Sequence, residues 1–322
     1  MAKPIYDTIA VIGCGLIGGS LVRAARKAGA AKTIIVAEQG AARLRVEELG
    51  IADRVTADLA DAVKDADLVV FATPVRAIGP AAQIAAQAYK PGATITDVGS
   101  VKGAVGQALR DSAPADVFVI PGHPIAGTEH SGPDAGFAEL FENRWTILTP
   151  PADGGPGAAE ALQRLTAFWT LLGAKVDTMD EQHHDLVLAV TSHLPHLIAY
   201  NIVGTAADLE QVTQAEVMKY SAGGFRDFTR IAASDPIMWR DVFLNNKDAV
   251  LEILGRFTED LQALSRAIRW GEGDKLQELF TRTRAIRRGI IEAGQETAEP
   301  DFGRHHGIAP SASPSGEQEP SA

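Results

Sequence analysis

A chain of 322 residues, 46% apolar and 22% charged, is long enough to bury two separate cores. Its formal charge of −11 argues against a nucleic-acid partner, which would need a basic face to neutralise phosphates. The single cysteine, Cys14, excludes a disulfide framework within one chain and leaves no cysteine pair to bind a metal. The first residues lack a basic stretch followed by an apolar signal region, and no apolar run approaches the length of a membrane span. A cytoplasmic protein with no membrane partner and no metal is expected.

The first structural signal runs from Thr8 to Glu38. An apolar run, Ile9 to Ile12, leads into Gly13-Cys14-Gly15-Leu16-Ile17-Gly18, then helix-forming residues to Gly29, then a second apolar run from Thr33 to Ala37. This reads as strand, glycine turn, helix, strand. Gly13 allows a tight turn off the strand, Gly15 lacks the Cβ that would block a pyrophosphate, and Gly18 lets the helix approach the sheet. The helix N-terminus, at Leu16 and Ile17, offers free N–H groups and a partial positive charge. Glu38 ends the second strand twenty residues after Gly18, placed to accept both hydroxyls of a ribose. A dinucleotide is the expected cofactor. NAD is expected over NADP, because Glu38 would repel a 2′-phosphate and the nearest arginine, Arg43, does not follow it directly.

Further along come a polar helix from about Gly40 to Leu49 and a short strand candidate at Arg54 to Thr56. Asp67 to Ala72 is a buried strand ending at Thr73-Pro74, which makes Thr73 a further cofactor contact. Thr94 to Val98 is another strand, after an alanine-rich helix. Val117 to Ile120 is a sixth, running into a loop at Pro121-Gly122-His123-Pro124. Strands that alternate with helices predict an α/β fold, a Rossmann-type, doubly wound, mostly parallel sheet. Its ligands sit at the carboxyl ends of the strands. Trp145 to Leu148 and Ala174 to Thr178 read as two more strands that extend the sheet. Strand signals stop at Asp180, a candidate N-cap for a helix running past His196. The expected division is a dinucleotide-binding domain over 1–179, an all-helical substrate and dimerisation domain over 180–294, and a disordered tail over 295–322. Amphipathic helices at about Asn246 to Trp270 and Asp274 to Glu292 have more apolar face than one helical domain can bury, so a homodimer is expected.

Six of the eight histidines lie between His123 and His196. Four segments carry detail: Asp97-Val98-Gly99-Ser100-Val101-Lys102-Gly103, Gly122-His123-Pro124-Ile125-Ala126-Gly127-Thr128-Glu129, Thr191-Ser192-His193-Leu194-Pro195-His196, and Gly223-Gly224-Phe225-Arg226-Asp227-Phe228-Thr229-Arg230-Ile231-Ala232. Together, and in this order, they resemble the prephenate and arogenate dehydrogenases of tyrosine biosynthesis over nearly all of residues 8 to 290. No mutase or regulatory segment accompanies them.

The resemblance implies an NAD-dependent oxidative decarboxylation of a small cyclohexadienol, with catalytic roles for His123 and Ser100. His123 would take the proton of the ring hydroxyl, a task suited to an imidazole of pKa about 6.5, and Ser100 would hydrogen-bond that hydroxyl. Ser100 is also expected to N-cap the following helix. The resemblance further places His196 by the ring carboxylate, Arg230 on the side-chain carboxylate, Thr128 among the substrate contacts, and Glu129 and Asp227 in ionic contacts at the entrance. A guanidinium fork suits a carboxylate. His193 shares a helix face with His196 and is either a substrate contact or a buried structural group; Pro195 between them bends the axis. Arg226 reads as a solvated charge and Trp239 as interhelical packing. Inhibition by tyrosine follows from the shared shape of product and substrate. Two rivals remain. One is a dehydrogenase of small β-hydroxy acids, which would use a lysine base on the second domain's first helix; the other is a non-catalytic dinucleotide sensor.

Overall fold

The computed structural model describes residues 3–128, 130–209 and 223–292. The tail from Gln295 and Glu129 lie outside these residues. The apolar run around Ile9 forms β1 (Tyr6–Ile12), which the glycine turn joins to α1 (Leu16–Ala28) and β2 (Ala31–Ala37). There follow α2 (Gly40–Leu49), β3 (Arg54–Thr56), α3 (Leu59–Val63), β4 (Leu68–Phe71), α4 (Val75–Ala85), β5 (Thr94–Asp97), α5 (Gly103–Ser112) and β6 (Phe118–Val119). The six strands are all parallel, in the order β3-β2-β1-β4-β5-β6. The chain winds outward one way from β1 and then the other way from β4. The crevice where these directions part is the usual place for a ligand.

Each face of this sheet is covered. Leu21 and Val22 of α1 pack on one side together with Phe168 and Trp169, edge to face at 5.7 Å, from α6 (Ala158–Leu171). Ile78 and Ala82 of α4 and Val105 and Leu109 of α5 cover the other. Strands buried on both sides read as continuous apolar runs, which is why β1, β2 and β4 were legible.

Two expectations need correction. Gly122–Pro124 is not a loop but a strand, β7, and β8 (Trp145–Leu148) and β9 (Lys175–Thr178) do not extend the large sheet. These three form a second sheet in the order β7-β8-β9, with His123 paired to Ile147 in antiparallel register. The cause is Pro121. The ladder to β5 ends where Ile120 N donates to Ile95 O (2.9 Å); Pro121 has no N–H to continue it, and its carbonyl accepts from Thr149 N (2.9 Å).

After Thr178 the described residues are helical. Asp180 caps α7 (Glu181–Leu188) by accepting from His183 N (2.8 Å), as its sequence position suggested. A π-turn at Ala189–His193 then leads into α8 (Leu194–Leu209). Pro195 lacks the N–H that an unbroken α-helix would need there, and the wider turn accommodates it. Glu181–Asp208 is thus one helical run of 28 residues, long and apolar enough by length and composition to cross a membrane, contrary to expectation. Its buried residues include His184, Asp185 and His193, which bond to the rest of the protein rather than face lipid.

The remaining helices among the described residues are α9 (Gly223–Thr229), α10 (Pro236–Asn245), α11 (Lys247–Arg269) and α12 (Gly273–Glu292). Leu251, Leu261 and Ile268 of α11 and Phe280, Ile286 and Ile290 of α12 stand exposed, an apolar surface of the kind a second subunit covers.

Candidate active site

The carboxyl edge of the large sheet carries, in spatial order, Glu38 after β2, Gly13 after β1, Thr73 after β4, Ser100 after β5 and His123 beyond β6. Gly13 has φ +91°, and a Cβ there would stand 2.9 Å from the Ala72 carbonyl. A Cβ on Gly18 would collide with the Gly13 carbonyl oxygen, whereas one on Gly15 would meet nothing within 4 Å. Gly13 and Gly18 therefore serve the turn itself. Gly15 serves whatever occupies the open space in front of it. Helix α1 has no side-chain cap and no acid in its first turn, so the N–H groups at Leu16 and Ile17 remain for an anion. The Glu38 carboxylate accepts from Cys14 N (2.7 Å) and Gln39 N (2.8 Å), which fixes it at the turn with lone pairs to spare. Thr73 Oγ1 is buried without a partner. An anion cradle, a carboxylate and an orphaned hydroxyl along one crevice fit a dinucleotide.

His123 is nine-tenths buried, and its Nδ1 lies 2.9 Å from Nε2 of His184. The second nitrogen of His184, Nδ1, lies 2.8 Å from Asp185 Oδ1. Asp185 also accepts from Lys102 N (2.8 Å) and Gly103 N (2.9 Å). This overturns the expected capping by Ser100. The N-cap of α5 is Lys102, two residues further on, and its free N–H groups are satisfied by a carboxylate from α7, 82 residues along the chain at Gly103. Lys102 itself is wholly buried and donates to Asp97 Oδ2 and to Gly122 O (2.5 Å). Asp97 accepts in addition from Gly99 N and Gly122 N, so this pair ties β5 to the strand that carries His123.

The electrostatics follow from burial. Burial drives His123 well below the usual imidazole range, and the nearby His184, Lys102 and His193 push the same way. Burial also lowers His184, although its Asp185 bond pulls upward. For Asp185 burial opposes charge, yet the His184 bond and the two backbone N–H groups hold it below the carboxylate range. At neutral pH the site has an ionised Asp185 and neutral imidazoles.

His193 is fully buried. Its Nδ1 accepts from Asn246 Nδ2 (3.0 Å), which also donates to Asp185 O (2.8 Å). Burial pushes it down to about 4. Of its two readings, this placement favours the structural one. His196 is half-buried and stacks on Trp239 at 3.6 Å, and its Nδ1 donates to Ser192 O (2.8 Å). Burial lowers its pKa, the Ser192 bond opposes this, and the Arg230 charge lowers it further. Arg230 begins a short 3-10 turn after α9, and Asp227 is exposed on α9. Thr128 Oγ1 accepts from His130 N (3.2 Å). Trp239 packs between helices, in a small cluster with Val101 and Val242.

Sequence reasoning missed His184, Asp185, Lys102, Asp97 and Asn246. A polar pair, His184-Asp185, near the start of an apolar helix was the available signal.

The chain is similar to known proteins along most of its length. A family described as "Prephenate dehydrogenase, nucleotide-binding domain" matches residues 21–178, and "Prephenate dehydrogenase, dimerization domain" matches 180–282. A cyclohexadienyl dehydrogenase of Zymomonas mobilis is 43% identical over 89% of this chain and 97% of its own length. A prephenate dehydrogenase of Bacillus subtilis is 34% identical over 88% of this chain and 76% of its own. The crystal structure of prephenate dehydrogenase from Aquifex aeolicus in complex with hydroxyphenyl propionate and NAD+ superposes with a TM-score of 0.81 at 33% identity, covering 90% of this chain and 99% of that one.

Gly15 and Gly18 should separate on substitution. Gly15→Ala has room, so its urea stability should stay within about 0.5 kcal/mol of the parent while dinucleotide affinity falls. Gly18→Ala must shift backbone and should cost roughly 1–3 kcal/mol. Equal melts with equal titration curves would show that nothing binds at the turn.

Proposed function

This chain belongs to the prephenate dehydrogenase family, and from that premise we propose that it oxidatively decarboxylates prephenate, arogenate or both in tyrosine biosynthesis, with NAD, as a homodimer. The observation that carries the reading is His123, a buried, neutral imidazole at the same sheet edge as the glycine turn, with one nitrogen held by His184. NAD would be held by Gly15, Leu16, Ile17, Glu38 and Thr73, on the turn that Gly13 and Gly18 shape, and would supply the acceptor for the hydride of the ring carbon bearing the hydroxyl.

The protein moves one proton and positions the rest. His123 Nε2 takes the proton of the ring hydroxyl as the hydride departs. Carbon dioxide then leaves, its bonding electrons aromatise the ring, and His123 returns the proton to the phenolate oxygen. Ser100 hydrogen-bonds the same hydroxyl. Arg230 grips the side-chain carboxylate and His196 meets the ring carboxylate, whose charge draws a proton onto Nε2 of an imidazole that is otherwise neutral. Thr128 contributes a hydroxyl nearby, and Glu129 and Asp227 form the charged rim. The β-hydroxy-acid alternative needs a lysine on the first helix after the sheets. Helix α7, Glu181–Leu188, has none. Tyrosine keeps the ring and the carboxylate-bearing side chain of the product, so we infer that it competes for this site.

Steady-state rates with both acids and both nicotinamides test the reading. NAD should be favoured, since the Glu38 carboxylate at the turn would repel a 2′-phosphate and Arg43 is engaged by Glu47 (3.0 Å). No turnover of either acid, or a higher kcat/KM with NADP, would contradict it. Arg230→Ala should raise KM for the acid about tenfold to a hundredfold, the loss of roughly 1.5–3 kcal/mol from a charge-assisted fork, and leave NAD affinity alone. An unchanged KM would remove Arg230 from the site.

His123 sets the pH profile. A base works when neutral, so kcat/KM should rise with pH through the free-protein ionisation and flatten above it. Because that ionisation is lowered, the rise should fall below pH 6.5 rather than within the ordinary imidazole range. His123→Asn should bind NAD normally, lose roughly 10²–10⁴ in kcat and lose the acid limb. A variant that kept most of its kcat would show that the base is another group.

A further inference from the structure

We propose that His184 and Asp185 are positioning residues that hold His123 in the single tautomer able to act as a base. The proposal rests on the reading of His123 as the proton acceptor and supplies what that reading lacks. A neutral imidazole has one N–H, and only the nitrogen without it can take a proton.

The donors and acceptors leave one arrangement. Asp185 is an ionised carboxylate and can only accept; it already takes the Lys102 and Gly103 N–H groups. The His184 nitrogen 2.8 Å from it must therefore carry the hydrogen at Nδ1. A neutral His184 then has its lone pair on Nε2, which lies 2.9 Å from His123 Nδ1. That contact is a hydrogen bond only if His123 Nδ1 donates. Nε2 of His123 is left as the free lone pair, and it has no hydrogen bond among the described residues. An unconstrained imidazole favours the opposite form, with its hydrogen on Nε2, so the orientation has to be imposed by a partner. The logic is that of a serine protease triad, in which the carboxylate fixes the tautomer of the histidine and its loss costs rate without loss of geometry.

The alternative, a protonated His184 donating to His123, is disfavoured by what surrounds the pair. Lys102 at the start of α5 and His193 on the π-turn add positive charge or none. Asp97 at the end of β5 pulls His184 upward but is itself engaged by Lys102, and among the described residues Asp185 on α7 is the one carboxylate bonded to the pair. Burial of both rings adds to this. Below the ionisation of His184 the relay reverses, since an imidazolium would donate to Nδ1 and leave the hydrogen on Nε2.

His184 is the residue to change, because Asp185 also caps α5. His184→Phe keeps a ring of similar size and removes the acceptor. His184→Gln keeps both functions, its amide oxygen accepting from His123 and its NH2 donating to Asp185. With 15N-labelled histidine in the full chain, the His123 resonances, identified by their absence in His123→Asn, should show Nδ1 protonated and Nε2 bare in the parent. In His184→Phe the hydrogen should move to Nε2, with kcat falling about tenfold to a thousandfold and KM for the acid changing little. His184→Gln should restore both the tautomer and most of the rate. The proposal is overturned if parental His123 carries its hydrogen on Nε2, if His184→Phe keeps its kcat, or if it loses kcat with the tautomer unchanged. A folded His184→Gln without rescue would overturn it too. Should His184→Phe not fold, the parental tautomer and the glutamine variant decide. A failure of His123 as the base would appear separately, as retained activity in His123→Asn.

Discussion

One carboxylate, that of Asp185, joins the parts of this protein. It satisfies two N–H groups at the start of α5 and receives the His184 ring, and its backbone carbonyl accepts from Asn246 at the head of α11. A carboxylate buried to this degree is costly unless its lone pairs are used. Here they are used on the sheet side and the helical side at once. The junction between the two halves of the chain is thereby polar and directional, and it sets where the imidazoles stand. An apolar seam would hold as well but would not specify orientation.

Beside it the Lys102 and Asp97 pair does the same for the strands. Burial drives the Asp97 carboxyl up and the Lys102 ammonium down, and each is held by the other and by the backbone around Gly99 and Gly122. Breaking one partner would leave an uncompensated charge under His123. His123 therefore stands on a strand anchored by paired charges rather than on a loop.

What the sequence disclosed was local. The glycine turn, its flanking strands, the alternation of strand and helix and the cap at Asp180 all depend on residues within a few positions of one another, so pattern and spacing suffice. The second sheet was hidden because β8 and β9 have ordinary strand patterns, and only the proline after Ile120 decides that they pair with β7 instead of β6. The partners of His123 and Asp185 were hidden because they are 61 and 83 residues distant in sequence. The same holds for Ser100. Its position before a helix suggested a cap, but the start of that helix is capped across the junction.

The π-turn between α7 and α8 has a consequence for direction. In an unbroken α-helix, residues twelve apart such as His184 and His196 stand about 120° from each other around the axis. Each residue of the wider turn advances by a smaller angle, so the five residues from Ala189 to His193 rewind much of that difference. The helix carries a correction of phase. Two imidazoles more than three turns apart then leave one continuous rod on nearly the same side, His184 toward His123 and His196 toward Trp239.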